Sequence, residues 1–128
     1  MLFAIMAISV GAALGALARW GLTLWLGIGV MPWGTLAANL IGGYLVGVVV
    51  ALLALAPDIS PLWRLALVTG FLGGLTTFSS FSAEVVIFLM DARYGLAALT
   101  ATVHVLGSLL MTMLGLKSAM FLIAANAR

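Results

Sequence analysis

The chain has 128 residues, of which 66% are hydrophobic and only 6% charged, with five Lys or Arg against three Asp or Glu for a formal charge of +2. Soluble domains are roughly half apolar and about a quarter charged, so this composition, with a mean hydropathy of +1.36, excludes a water-soluble domain and defines an integral membrane protein. The absence of cysteine excludes disulfides, thiol chemistry and Cys-based metal sites, and the basic residues form no cluster of the kind that nucleic acid requires.

A helix needs about 20 apolar residues to cross the hydrocarbon core, and turn signals divide the sequence into four such spans within one transmembrane domain, residues 1–128. The first runs from about Leu2 to Leu26. It lacks the basic n-region of a cleavable signal peptide, and its apolar run is longer than a usual h-region, so it reads as a retained span. It contains Gly11-x-x-x-Gly15, a small-residue spacing that lets backbones touch in lipid. Arg19, near its end, either snorkels to water or attracts an anion; an arginine at the bilayer centre would cost about 2.5 kcal/mol or more.

Glycines and a proline at 27–32 mark the first loop, with Trp33 at headgroup level. The second span runs from about Gly34 to Leu55 and carries Thr35 and Asn39 four apart, continued on the same stripe by Gly43 and Gly47, and Gly43-x-x-x-Gly47 repeats the small-residue spacing of the first span. Residues 56–61 form the second loop, and Trp63 and Arg64 anchor a third span over about Leu62–Met90.

At the centre of that span residues 73–81 read GGLTTFSSF. Adjacent glycines favour non-helical backbone, and hydroxyls compete for backbone hydrogen bonds. A break in the helix at mid-membrane is therefore expected, and such breaks are ion or substrate sites because lipid cannot satisfy the freed polar groups. The alternative is an intact helix whose glycines admit a neighbour and whose hydroxyls bond back to the previous turn. Phe78 and Phe81 share a face with Ser82, and aromatic edges can meet an anion without supplying a full charge. Glu84, the only acid within a span, could relay protons, pair with Arg19 or reach water at a vestibule.

The last connection, residues 91–95, leads to a fourth span over about 96–123. Thr100, His104, Ser108 and Thr112 repeat every four residues there, forming one polar stripe that either lines a pathway or bonds helix to helix. An even number of spans places both termini on one side. Arg64, Lys117 and Arg128 fall on that side and Arg19 and Arg93 on the other, too small a bias to choose an orientation. Either a boundary is misplaced or copies insert both ways and pair antiparallel. Four helices are also too few to enclose a watery path alone, which points to a second subunit.

Hydroxyls, an amide and aromatic edges with almost no negative charge suit an anion. No H-E-x-x-H, phosphate loop or Ser/His/Asp set is present, so no enzyme chemistry is indicated. A small four-helix proton-coupled multidrug exporter is the alternative from another class, but such proteins need a glutamate in the first span, which here has no acid. A non-transporting assembly factor is a further rival.

The run GGLTTFSSFSAE, with GALARWG in the first span, GTLAANLIGGYLVG in the second and the hydroxyl stripe in the fourth, resembles the Fluc-type fluoride ion channels of bacteria over essentially the whole chain. The resemblance implies a multi-pass protein of the bacterial plasma (inner) membrane, an antiparallel, dual-topology homodimer that exports fluoride passively through two pores along the dimer interface. It implies fluoride, the bilayer and a second copy as partners, with no nucleic acid, and a structural sodium ion held by the backbone carbonyls of Gly73 and Thr76. On the same basis Phe78, Phe81, Asn39, Ser79, Ser80, Ser108 and Thr112 line the pore, while Arg19 and Glu84 belong to the vestibule.

Overall fold

The computed structural model describes residues 1–27, 29–55 and 59–126. The runs between turn signals are helical, as expected of good helix formers that satisfy their own backbone groups. Helix α1 covers Leu2–Leu26 and α2 covers Trp33–Leu55. Helix α3 occupies residues 61–75, α4 Phe78–Met90 and α5 Tyr94–Asn126. Counting Pro61–Met90 as one stretch, four helical segments among the described residues are long and apolar enough to cross a membrane. Their boundaries agree with the expected spans to within three residues, and Trp33 begins α2 rather than ending a loop. The expected loop at 56–61 and the cation at Arg128 lie partly or wholly outside the described residues.

Proline and Ser60 start α3: Pro61 occupies the first turn, where its missing N–H is not needed, and the Leu62 N–H donates to Ser60 Oγ at 3.3 Å. After Arg64 the winding widens, and Leu65–Leu72 carry the i→i+5 bonding of a π-helix before Gly73–Leu75 return to α geometry. Thr76 (φ −83°, ψ 152°) and Thr77 (φ −149°, ψ 125°) are extended. The far end of α4 closes in a Schellman arrangement: the Ala92 N–H donates to the Leu89 carbonyl (3.1 Å) and the Arg93 N–H to the Phe88 carbonyl (2.8 Å), with Ala92 at φ 57° in the position that usually takes glycine.

Two glycine-mediated helix pairs organise the fold. Along α2 and α5, a Cβ on Gly47 would lie 2.7 Å from the Leu116 nitrogen and 3.0 Å from the Thr112 carbonyl carbon, so only glycine permits the approach. Along α1 and α3, a Cβ on Gly15 would lie 2.7 Å from the Leu75 nitrogen, and one on Gly11 2.9 Å from the Phe71 nitrogen. Both small-residue motifs thus pack within one chain. Between the pairs, Ala38, Leu72 and Leu75 form a small buried core, with Leu22, Leu45 and Phe71 packed on it. Large apolar side chains such as Leu14, Leu17, Trp25 and Phe121 point outward, as suits a surface whose solvent is hydrocarbon.

Candidate functional site

The site begins where the backbone bonding of α3 runs out. The Thr76 N–H still donates to the Leu72 carbonyl at 3.0 Å, joined by the Thr76 hydroxyl at 2.8 Å. In a continuing helix the Thr77 N–H would donate to Gly73. It donates instead to Asn39 Oδ1 on α2 at 2.8 Å, and the Thr77 carbonyl accepts from Asn39 Nδ2 at 3.0 Å. One carboxamide therefore satisfies both polar groups of an extended residue, as a neighbouring strand would. The Gly74 carbonyl accepts from Arg19 Nε at 3.3 Å. No hydrogen-bond donor among the described residues reaches the carbonyls of Gly73 or Thr76.

Helix α4 then restarts with Thr77 as its cap, Thr77 Oγ1 accepting from the Ser80 N–H at 3.2 Å. The hydroxyls of Ser79 and Ser80 gather at 3.2 Å around the same oxygen, and Ser82 bonds back to the Phe78 carbonyl at 2.7 Å. One turn on, Phe81 is buried (8% exposed) and stacks on the His104 ring of α5, with centroids 4.8 Å apart and planes 18° from parallel. Phe78 meets Phe81 edge to face at 5.2 Å but is itself 77% exposed. The second N–H of Asn39 points to His104 Nδ1 at 3.0 Å.

These groups bound an open groove of about 260 Å³. Asn39, Phe78, Phe81 and Ser108 line it, as do Thr76, Thr77, His104 and Val105, and none of these side chains is acidic. Of the expected site residues, Ser79, Ser80 and Thr112 do not line it. The first two turn toward Thr77, and Thr112 Oγ1 bonds back to the Ser108 carbonyl at 2.9 Å. Arg19 lies outside the groove at the Gly74 carbonyl. Glu84 is not paired with Arg19: its Oε1 accepts from the Thr35 hydroxyl at 2.6 Å, and its buried Oε2 has no partner among the described residues.

Sequence reasoning missed Val105 and the link between His104 and Asn39. A histidine facing an asparagine across 65 positions leaves no spacing to read. The four-residue stripe of α5 does face inward at Thr100 and His104, which are buried, but among the described residues Thr100 reaches only Met31 Sδ at 3.7 Å. Part of the stripe bonds within the protein and part faces the groove.

Four membrane-crossing segments, three of which border an open groove with polar side chains in its lining, on a chain with large apolar side chains pointing outward, define a multi-pass helical membrane protein. A family model described as "CrcB-like protein, Camphor Resistance (CrcB)" matches residues 6–116, and the chain belongs to that family. It is 66% identical over 125 residues to a protein of Variovorax paradoxus named fluoride-specific ion channel FluC, an alignment covering 97% of this chain and 100% of that one. Proteins with the same name from Albidiferax ferrireducens (61% identical, 98% of each chain) and Pseudomonas aeruginosa (59% identical, 89% of this chain and 91% of the other) are similar to it. The resemblance seen in the sequence is thereby borne out.

Proposed function

We propose that the chain is a passive, fluoride-selective channel of the bacterial inner membrane, which lets fluoride leave the cytoplasm, and that it performs no enzymatic reaction. The observation that carries the reading is the groove: hydroxyl, aromatic-edge and helix-end groups, with no acid among its lining, in a chain whose near relatives are named as fluoride channels. Fluoride is strongly hydrated, so a pore must replace lost water with donors while holding the ion weakly enough to release it. The Ser108 hydroxyl, the edges of Phe78 and Phe81 and the positive N-terminal end of α4 supply such weak contacts.

The groove is open on one side, and Phe78 and Gly73 are exposed on a single chain. A second copy in inverted orientation would close it, and two copies would form two equivalent grooves at one interface, the antiparallel dual-topology homodimer. The extended Thr76–Thr77 pair is then an interruption of the third span at mid-membrane. The uncommitted carbonyls of Gly73 and Thr76 fit a hard cation such as sodium, which collects several oxygen ligands. Two per chain are too few, and two copies would supply four. Sodium bound there would contribute a fixed positive charge that offsets the cost of an anion nearby. The proton-coupled exporter has less support, because the one acid within a span is engaged by Thr35 outside the groove.

Fluoride-electrode recording from proteoliposomes tests the reading. Purified protein should release trapped fluoride without a proton gradient, and protein prepared throughout without sodium should release it at least about tenfold more slowly, since losing roughly 1.4 kcal/mol of ion stabilisation is a factor of ten. Absence of efflux, or coupling of dye transport to protons, would remove the channel reading. Efflux indifferent to sodium would remove the cation alone. Phe81→Ile should also lower efflux by about tenfold, because it deletes both an aromatic edge and the stack on His104. The oligomer should survive in size-exclusion profiles, and unchanged efflux would place Phe81 off the path.

A further inference from the structure

The bonds around Asn39 assign a role to the chain's single histidine. Asn39 Oδ1 faces the Thr77 N–H and must be the acceptor there, which fixes the orientation of the amide. Both hydrogens of Nδ2 are then directed, one at the Thr77 carbonyl and one at His104 Nδ1, each at 3.0 Å. An amide nitrogen only donates, so His104 Nδ1 has to present a lone pair, and the ring is neutral with its hydrogen on Nε2. The same count leaves Asn39 without a free donor: a side chain expected to offer its N–H to a passing anion gives both to the protein.

We infer that His104 is a positioning residue for the pore: through Nδ1 it holds the Asn39 carboxamide in the one rotation that clamps the extended backbone of Thr77 at both its N–H and its C=O. Burial supports a rigid clamp, since His104 is 3% and Asn39 9% exposed, and the stack on Phe81 fixes the plane of the ring. His104 Nε2 is buried and has no partner among the described residues, so among them the ring's one polar bond is that to Asn39. Without that acceptor, one Asn39 hydrogen is orphaned. The buried amide is then drawn toward any group that can take that hydrogen and out of line with Thr77, and the lining that Thr76, Thr77 and Phe78 contribute loosens.

Side-chain geometry separates the two ring nitrogens. An asparagine at position 104 places its Oδ1 where imidazole Nδ1 sits, glutamine places its amide nitrogen near Nε2, and phenylalanine keeps only the stack. The full-length protein in proteoliposomes should therefore keep fluoride efflux within about threefold of wild type in His104→Asn, and lose about tenfold or more in His104→Gln and His104→Phe. Rescue by glutamine but not asparagine, or efflux unchanged in all three, overturns the inference. A second readout needs no variant to fold. Because there is one histidine, ¹⁵N-histidine labelling gives a single imidazole spectrum at neutral pH in lipid, which should show an unprotonated, hydrogen-bonded Nδ1 and a protonated Nε2. A proton on Nδ1 overturns the clamp. The flux arm rests on the channel reading, whereas the spectrum does not: a wild type that conducts nothing yet shows the expected tautomer would sink the channel and leave the clamp.

Discussion

Asn39→Asp is expected to abolish fluoride efflux. The substitution hardly changes shape but reverses the sign of one end of the side chain. Nδ2 donates to the Thr77 carbonyl and to His104 Nδ1, both at 3.0 Å; aspartate instead presents an oxygen to the carbonyl, which can only accept, and His104 keeps a bond only by moving its hydrogen to Nδ1. Each bond lost in a buried setting costs about 1–3 kcal/mol. The new charge also faces the groove, where repulsion between a carboxylate and an anion 4 Å apart is about 4 kcal/mol at an effective dielectric of 20. Since 1.4 kcal/mol is a factor of ten, these effects together reduce throughput by more than about a hundredfold. Electrode recordings on variant protein that elutes as wild type are the measurement. Conduction at the normal rate would show that Asn39 neither holds Thr77 nor borders the ion's route.

The second large effect concerns assembly of the chain itself. Gly47→Val should prevent recovery of folded protein, because the added Cβ would lie 2.7 Å from the Leu116 nitrogen and 3.0 Å from the Thr112 carbonyl carbon. Both atoms are backbone of α5 and cannot rotate away, so α2 and α5 must separate along their length. Overpacking typically costs about 1–3 kcal/mol, and a clash with helix backbone belongs at or above the top of that range. Gly21→Val on α1 is the matched control, since nothing lies within 4 Å of a Cβ there; its melting temperature in detergent should stay close to wild type. Equal melting of the two variants would show that close approach at Gly47 is not needed.

The contrast between these two glycines marks what could be read in advance. Four spans and their ends followed from hydropathy and from glycine and proline signals, since lipid demands long apolar helices. Gly43-x-x-x-Gly47 announced a close contact, but spacing on one helix does not name its partner, and α5 emerged only from the packing. The wide winding of Leu65–Leu72 left no trace, because i→i+5 bonding has no residue signature comparable to a proline kink. At the groove, Asn39, Phe78, Phe81 and Ser108 were legible as polar or aromatic residues on the expected faces. The bond from Thr35 to Glu84 spans 49 positions and that from Asn39 to His104 spans 65, and such pairs are set by the tertiary arrangement alone.

The length of α5 bears on how the molecule sits among lipids. Its 33 residues extend about 50 Å at 1.5 Å per residue, against a hydrocarbon layer about 30 Å thick. The 23 residues of α2 span about 35 Å by the same rise. Helix α5 therefore either leans or stands proud of the leaflet, and because α2 grips it at Gly47, any lean must be shared by both. Acyl-chain length, which sets how far such a rod tilts, thereby becomes a mechanical handle on the lean of the α2–α5 pair, with Asn39 and Ser108 carried along together.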